Sequence, residues 1–331
     1  MKRLFFLVIL SAVFIGCDSD LDCEVAPDIS NIDVNVKIDR LEDILFNASS
    51  PKDIEYFLFN NPVLTEQFLG SNQYPSDSIL ALELYKNVKH PSLDTLYQET
   101  KTVFGDGSEL EEQLSLAFSY IKYYYPDFNA PKVQTMVTGF GSSEIFVSDS
   151  LVVIGLDYYL GEQAKFRPNG FPDYILKRFD KAYIVPAIVL LLTDKYVASF
   201  SSDNTMLAEM LYFGKRFYLA KKTMPCVNDS LIIWYDGKEL INVENNKEVL
   251  WHHFLDKQLL FESNHMVKKK YIEERPKVLE IGDKCPGRIG TWLGWDIVRA
   301  YMEQKPEISV QQLMMINNAQ EIFNGSKYRA K

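Results

Sequence analysis

Apolar positions along most of the chain recur every three to four residues, the spacing that lines one face of a helix. This predicts helices over 51–60, 61–69, 76–89, 92–104 and 108–125. The last has Ser108 as a cap, Glu109, Glu111 and Glu112 at the positive end of the helix dipole, and Pro126 just beyond its end. Earlier, Val34, Val36 and Ile38 alternate with polar residues and predict a short strand, after which 38–46 returns to helical spacing. The pattern changes over 132–156. Segments 133–137, 145–147 and 152–154 are short, β-branched and separated by Gly or Ser-Asp-Ser, which predicts a three-stranded antiparallel meander. Helical spacing resumes over 174–196, 205–222, 247–262, 290–303, 309–315 and 317–324, with Ser309 and Gln312 placed as a capping box. The run 184–192 is apolar but bounded by Lys181 and Asp194, so it predicts a buried core helix rather than a membrane span.

The first seventeen residues follow a different logic. Lys2 and Arg3 precede an apolar run from Leu4 to Ile15, broken only by Ser11. That run is too short for a membrane-spanning helix, which needs about twenty residues, and fits the central region of a secretory signal. Phe14-Ile15-Gly16-Cys17 resembles a lipobox, with small Gly16 at the cleavage point and Phe14 where Leu is usual. Residues 1–16 are therefore expected to be removed and Cys17 to carry covalent lipid, palmitate included. More than one acyl chain is needed for stable anchoring, and a triacylated cysteine satisfies that. The expected location is the cell envelope, on the outer membrane. Residues 17–33 read as a lipidated tether, and Asp18, Asp20, Asp22 and Glu24 make it charge-rich and solvated. Such an acidic stretch also resembles the surface-export signals of Bacteroidetes lipoproteins.

Length allows one large or two modest domains, and the chain reads as a single domain over 34–331. The chain of 331 residues is 47% apolar and 13% aromatic, ample for a core. Loss of Lys2 and Arg3 takes the formal charge from −10 to −12, and no basic stripe is present, so nucleic acid is excluded as an expected partner. With Cys17 lipidated, Cys23, Cys226 and Cys285 remain, which allows one internal bridge, such as Cys226–Cys285.

Candidate chemistry is sparse. Adjacent His252 and His253 point about 100° apart on a helix and cannot share a metal as an i, i+4 pair does. His90 precedes Pro91 in a turn, and His265 lies in a polar stretch. No HExxH and no glycine-rich phosphate loop is present, so no metal, no cofactor beyond the lipid and no catalytic residue is expected. Gly139-Phe140-Gly141-Ser142-Ser143 joins two predicted strands, whereas a nucleophile elbow joins a strand to a helix, so it reads as a hairpin loop. The densest segment is Cys285-Pro-Gly-Arg-Ile-Gly-Thr-Trp-Leu-Gly-Trp-Asp-Ile-Val-Arg-Ala-Tyr301. Gly290 and Gly294, four apart, form a smooth strip for close approach of a neighbouring helix, and Arg288, Trp292 and Asp296 are the candidates for a partner groove.

That segment, with Val36-Lys-Ile-Asp-Arg-Leu-Glu-Asp43, Tyr125-Pro-Asp127 and Tyr183-Ile-Val-Pro186, resembles the gliding motility lipoprotein B (GldB) family of Bacteroidetes. The resemblance spans nearly the whole mature chain and implies a membrane-tethered envelope lipoprotein in a protein complex tied to gliding and type 9 secretion. A fainter resemblance is to predicted zinc-dependent proteases of zincin-like fold. There the apolar helix carries HExxH and the next helix a Glu before a Gly. Here the matching positions read Pro186-Ala-Ile-Val-Leu190 and Phe213-Gly214. The expected fold is thus α+β, mainly α: a zincin-like helical domain with a small antiparallel meander, serving as a non-catalytic scaffold. The alternatives are a hydrolase using Glu209, Asp296 or Glu144, and a surface lipoprotein binding a nutrient or glycan.

Overall fold

The computed structural model describes residues 23–330, so the signal segment and Cys17 lie outside the described residues. The fold is mainly helical, built around a small mixed sheet. The strands are β1 (Ile38–Arg40), β2 (Lys132–Met136), β3 (Ile145–Val147) and β4 (Leu151–Gly155), in spatial order β1-β2-β4-β3. β1 pairs with β2, and β2 with β4, in parallel; β3 and β4 are antiparallel. The expected meander is corrected accordingly: only β3 and β4 form a hairpin, and residues 137–144 carry the chain past β4. Burial gives the reason. β4 is buried at all five positions, whereas β3 is only half-buried. A strand apolar on both faces belongs inside a sheet, and the half-buried one takes the edge.

Side-chain alternation along β4 divides the interior. Leu151 and Val153 point into one apolar cluster, Val152 and Ile154 into the other. The smaller cluster is covered by α1 (Leu41–Phe46), α2 (Pro51–Asn60) and α3 (Asp77–Val88), through Leu45, Ile54, Phe57, Leu58 and Leu80. Ser50 and Asp53 form a capping box with Pro51 in the first turn, which fixes where α2 starts. The helix expected over 61–69 is reduced to one π-helical turn, Leu64–Phe68. α4 (Pro91–Phe104) is capped by His90, which accepts from the Ser92 N–H at 3.2 Å. α5 (Ser108–Tyr124) is not capped by Ser108: Gly107 holds the cap position, and Ser108 itself donates to Asp106.

The larger cluster collects α5 and the C-terminal helices. These are α6 (Asp173–Leu176), α7 (Ile184–Thr193), α8 (Met206–Thr223), α9 (Asp229–Ile233), α10 (Gly237–Asn245), α11 (Lys247–Asp256), α12 (His265–Ile272), α13 (Ile289–Gln304), α14 (Val310–Met315) and α15 (Ala319–Ser326). The single helix expected over 174–196 is broken between α6 and α7, where Asp180 caps an intervening turn. Pro186 sits in the first turn of α7, where its missing N–H costs no helical hydrogen bond. α8 and α13 cross with their backbones in contact. A Cβ on Gly294 would lie 1.8 Å from the Met210 carbonyl oxygen, and one on Gly214 2.3 Å from that of Gly294. The smooth strip expected from Gly290 and Gly294 is therefore the crossing itself. Each helical glycine costs up to about 1 kcal/mol against alanine, offset here by burial of Met210, Phe217 and Trp295.

The disulfide joins Cys23 to Cys226, and Cys285 is free and buried. The expected Cys226–Cys285 pair is thus corrected. Cys285 precedes α13, whose start packs against Met210 in the first half of α8, whereas Cys226 follows the opposite end of α8. The bridge brings the described start of the tether onto the body. Glu24 reinforces it, pairing with Lys222 at 2.7 Å and donating its N–H to the Pro225 carbonyl at 3.1 Å. Among the described residues, no helix is long and apolar enough to cross a membrane.

Candidate functional site

A cavity of about 720 Å³ lies between β3, α7 and α8. Helical spacing builds two of its walls. α7 contributes Ala187, Leu190 and Leu191, and α8 contributes Phe213, Arg216 and Phe217, each set at i, i+3, i+4. Leu191 is 50% exposed in a helix that is otherwise almost wholly buried, because it faces this opening. Phe171 and Phe179 add aromatic surface, and Ile145 brings in the edge strand.

Three arginines enter the lining: Arg178, Arg216 and Arg288. Arg178 holds Glu274 through two hydrogen bonds, of 2.6 and 2.9 Å. The Arg216 Nε lies 2.8 Å from an Asp194 oxygen, out of line for a hydrogen bond. Arg288 is the deepest, with 8% of its surface exposed. It precedes α13 in the left-handed conformation, φ 59°, which turns its side chain away from the helix's own faces. Its Nη1 donates to the Ile233 carbonyl at 2.9 Å, and its guanidinium lies 5.0 Å from the Trp234 ring centre and 5.5 Å from that of Phe217. Burial brings its pKa down to about 10, so it stays charged at neutral pH.

The candidate groove of Arg288, Trp292 and Asp296 is not assembled. Trp292 is buried in the core, and Asp296 accepts from the Tyr328 hydroxyl at 2.6 Å and pairs with Lys247 at 3.1 Å. Only Arg288 reaches the cavity, because it leaves the chain before helical geometry begins. The carboxylates considered for hydrolysis are also dispersed. Glu144 lines the cavity, Glu209 is paired with Lys268 of α12, and Asp296 belongs to α13. His253 contacts the Tyr271 hydroxyl at 3.1 Å, with its pKa lowered by burial. Arg178, Arg216 and Trp234 are residues the sequence reading missed.

Ala187, Leu190 and Phe213 all line this one cavity. These are three of the positions where the zinc-protease resemblance would place a general base and two ligands. Alanine, leucine and phenylalanine have no lone pairs to give, so the residues present do not fit a zinc ion. Among the described residues no group of three or more His, Cys, Asp or Glu is placed to hold a metal.

Lys215, next to Arg216, points elsewhere and is fully buried. Its ammonium donates to the carbonyls of Ala198 and Ile316, both at 2.7 Å, and of Met314 at 3.3 Å. Burial lowers its pKa to about 8. It ties α8 to the end of α14 and to Ala198 in the stretch between α7 and α8.

The sequence model of a family described as gliding motility protein GldB matches residues 22–330. No curated protein and no solved structure shows significant similarity to the chain.

Proposed function

The chain belongs to the gliding motility protein GldB family, and on that premise we propose that it is a lipid-tethered, non-catalytic assembly component of the envelope machinery for gliding and type 9 secretion. The observation that carries the non-catalytic reading is the lining of the cavity. Ala187, Leu190 and Phe213 converge there, which supports a peptidase-like, zincin-related scaffold. Their side chains supply neither base nor ligand, which supports a binding role on that scaffold. Metal analysis of the purified protein should find no stoichiometric zinc; one zinc per chain would overturn this reading.

The anchoring part of the proposal rests on Cys17 and on the disulfide. Cys17 lies six positions before Cys23, a reach of about 20 Å at full extension. Because Cys23 is fixed to Cys226 at the end of α8, the lipid would hold that end of the molecule close to the membrane. Cys17→Ser should move the protein from the membrane to the soluble fraction, or block its processing, without lowering its melting temperature. It should also fail to restore colony spreading in a deletion strain. Normal membrane attachment and spreading by Cys17→Ser protein would refute the tether.

A further inference from the structure

We propose that the open edge of β3 and the adjoining cavity form one binding site for an extended segment of a partner polypeptide carrying an acidic side chain. The register of the hairpin supplies the first half. The Gly155 N–H bonds the Glu144 carbonyl at 2.9 Å, and the Ser148 N–H bonds the Leu151 carbonyl at 2.8 Å. With Ile145 opposite Ile154 and Val147 opposite Val152, the backbone groups of Glu144, Phe146 and Ser148 turn towards β4. Those of Ile145 and Val147 turn outwards. β3 is an edge strand, and among the described residues no hydrogen bond is made by those outward groups. Such an edge is a template for another strand, whose alternate side chains would then enter whatever lies beside it.

What lies beside it is the cavity, and Ile145 belongs to both. Large apolar walls suit large apolar side chains. Charge selects further. Arg288 has five N–H donors and gives one to Ile233, while Glu274, 3.9 Å away, is already held twice by Arg178. The remaining donors of this buried guanidinium match a carboxylate, the partner for which its planar fork is suited. Glu144 and the exposed Glu273 also line the opening. They disfavour a second acid and favour a basic residue outside. The favoured segment is therefore extended, with one Asp or Glu among large apolar residues and Lys or Arg towards solvent. The inference rests on the non-catalytic reading only in holding that the bound segment is left intact.

The test uses the full-length lipidated protein in nanodiscs and a display library of random nine-residue peptides. Enriched peptides should carry one acidic residue flanked by large apolar ones. Ile145→Pro removes one outward N–H and no bond to β4; it should weaken those peptides at least about tenfold, roughly 1.4 kcal/mol. Ala187→Trp, which fills the cavity, should do the same. Arg288→Gln should abolish the advantage of a peptide's Glu over Gln; if that variant does not fold, the other two still decide. Absence of enrichment over empty nanodiscs, or equal binding by Ile145→Pro and Ala187→Trp, overturns the site. So does displacement by decanoate that is unaffected in Ile145→Pro, which would mark a pocket for lipid carboxylates. Cleavage of bound peptides, read by mass spectrometry, would leave the site standing and sink the non-catalytic reading instead.

Discussion

α8 meets α13 on one flank and borders the cavity on the other, and the flanks are built by opposite means. At the crossing, Gly214 and Gly294 bring backbone against backbone, with no room for even one added carbon. Two residues further along α8, Arg216 and then Phe217 face about 720 Å³ of space. The closed flank uses residues with no side chain to bring the two helices together. The open flank uses some of the largest side chains to wall a volume that they leave unfilled. Close packing makes the first intolerant of change, because interiors are near crystal density and cannot absorb an extra methyl group. Changes at the exposed mouth of the second flank, such as at Leu191, should cost little stability and act on binding instead, whereas Phe217 is buried and belongs to the core as well.

Gly294→Val is the strongest way to break this comparison. Its Cβ would fall on the backbone of Met210, which cannot rotate aside, so the helices must separate. Overpacking costs about 1–3 kcal/mol and occasionally more, and a clash with backbone belongs at or above the top of that range. The variant should lose most of its cooperative thermal transition by circular dichroism. A melting temperature within a degree of wild type would show that the crossing is looser than described.

Lys215 comes next in size. Lys215→Met removes a buried charge and strands the Ala198 and Ile316 carbonyls, each worth about 1–3 kcal/mol when left without a partner, while the Met314 carbonyl keeps the Ala198 N–H at 2.9 Å. A loss of about 3 kcal/mol in denaturant unfolding is expected near neutral pH. The pH dependence is specific. The folded pKa, about 8, lies below the ordinary lysine value of 10.5, so the unfolded chain binds more protons between the two. Stability from this group therefore rises as pH goes up through that window, by on the order of 2 kcal/mol by pH 10. Wild type should gain on Lys215→Met from pH 8 to 10. A flat difference would mean that the ammonium is not buried as charge.

These two flanks were unequally legible in the sequence. The closed one could be read from Gly290 and Gly294, because a four-residue glycine spacing on an apolar helix has few uses besides close approach. The helices beginning at Pro51 and Val310 were likewise written locally, in the capping boxes of Ser50 with Asp53 and Ser309 with Gln312. α10 carries the same signal in Asp236 and Glu239, which form a capping box at its start. The open flank was mostly hidden. Arg178, Arg216 and Arg288 come from distant segments, and only tertiary folding brings them to one cavity. Strand order was hidden by the same dependence, although the unbroken run Leu151-Val-Val-Ile154 marks a strand buried on both faces. The cysteine pairing failed because Cys226 and Cys285 lie towards opposite ends of α8, and spacing in sequence says nothing of which end of that helix the start of α13 packs against.

The smallest expected effect sharpens the contrast most. Leu191 is half-exposed at the cavity mouth, where Leu191→Ser neither empties a packed space nor buries an unpaired hydroxyl. Surface changes of this kind alter stability by about 0.5 kcal/mol or less, so its melting curve should overlay that of wild type. Its apolar wall is nevertheless reduced, and affinity for the peptides enriched on wild type should fall several-fold. If Leu191→Ser destabilised the fold by more than about 2 kcal/mol, the cost of an emptied core site, the cavity would be closed in solution. The two flanks of α8 would then be alike, and the opening would be no place for a partner.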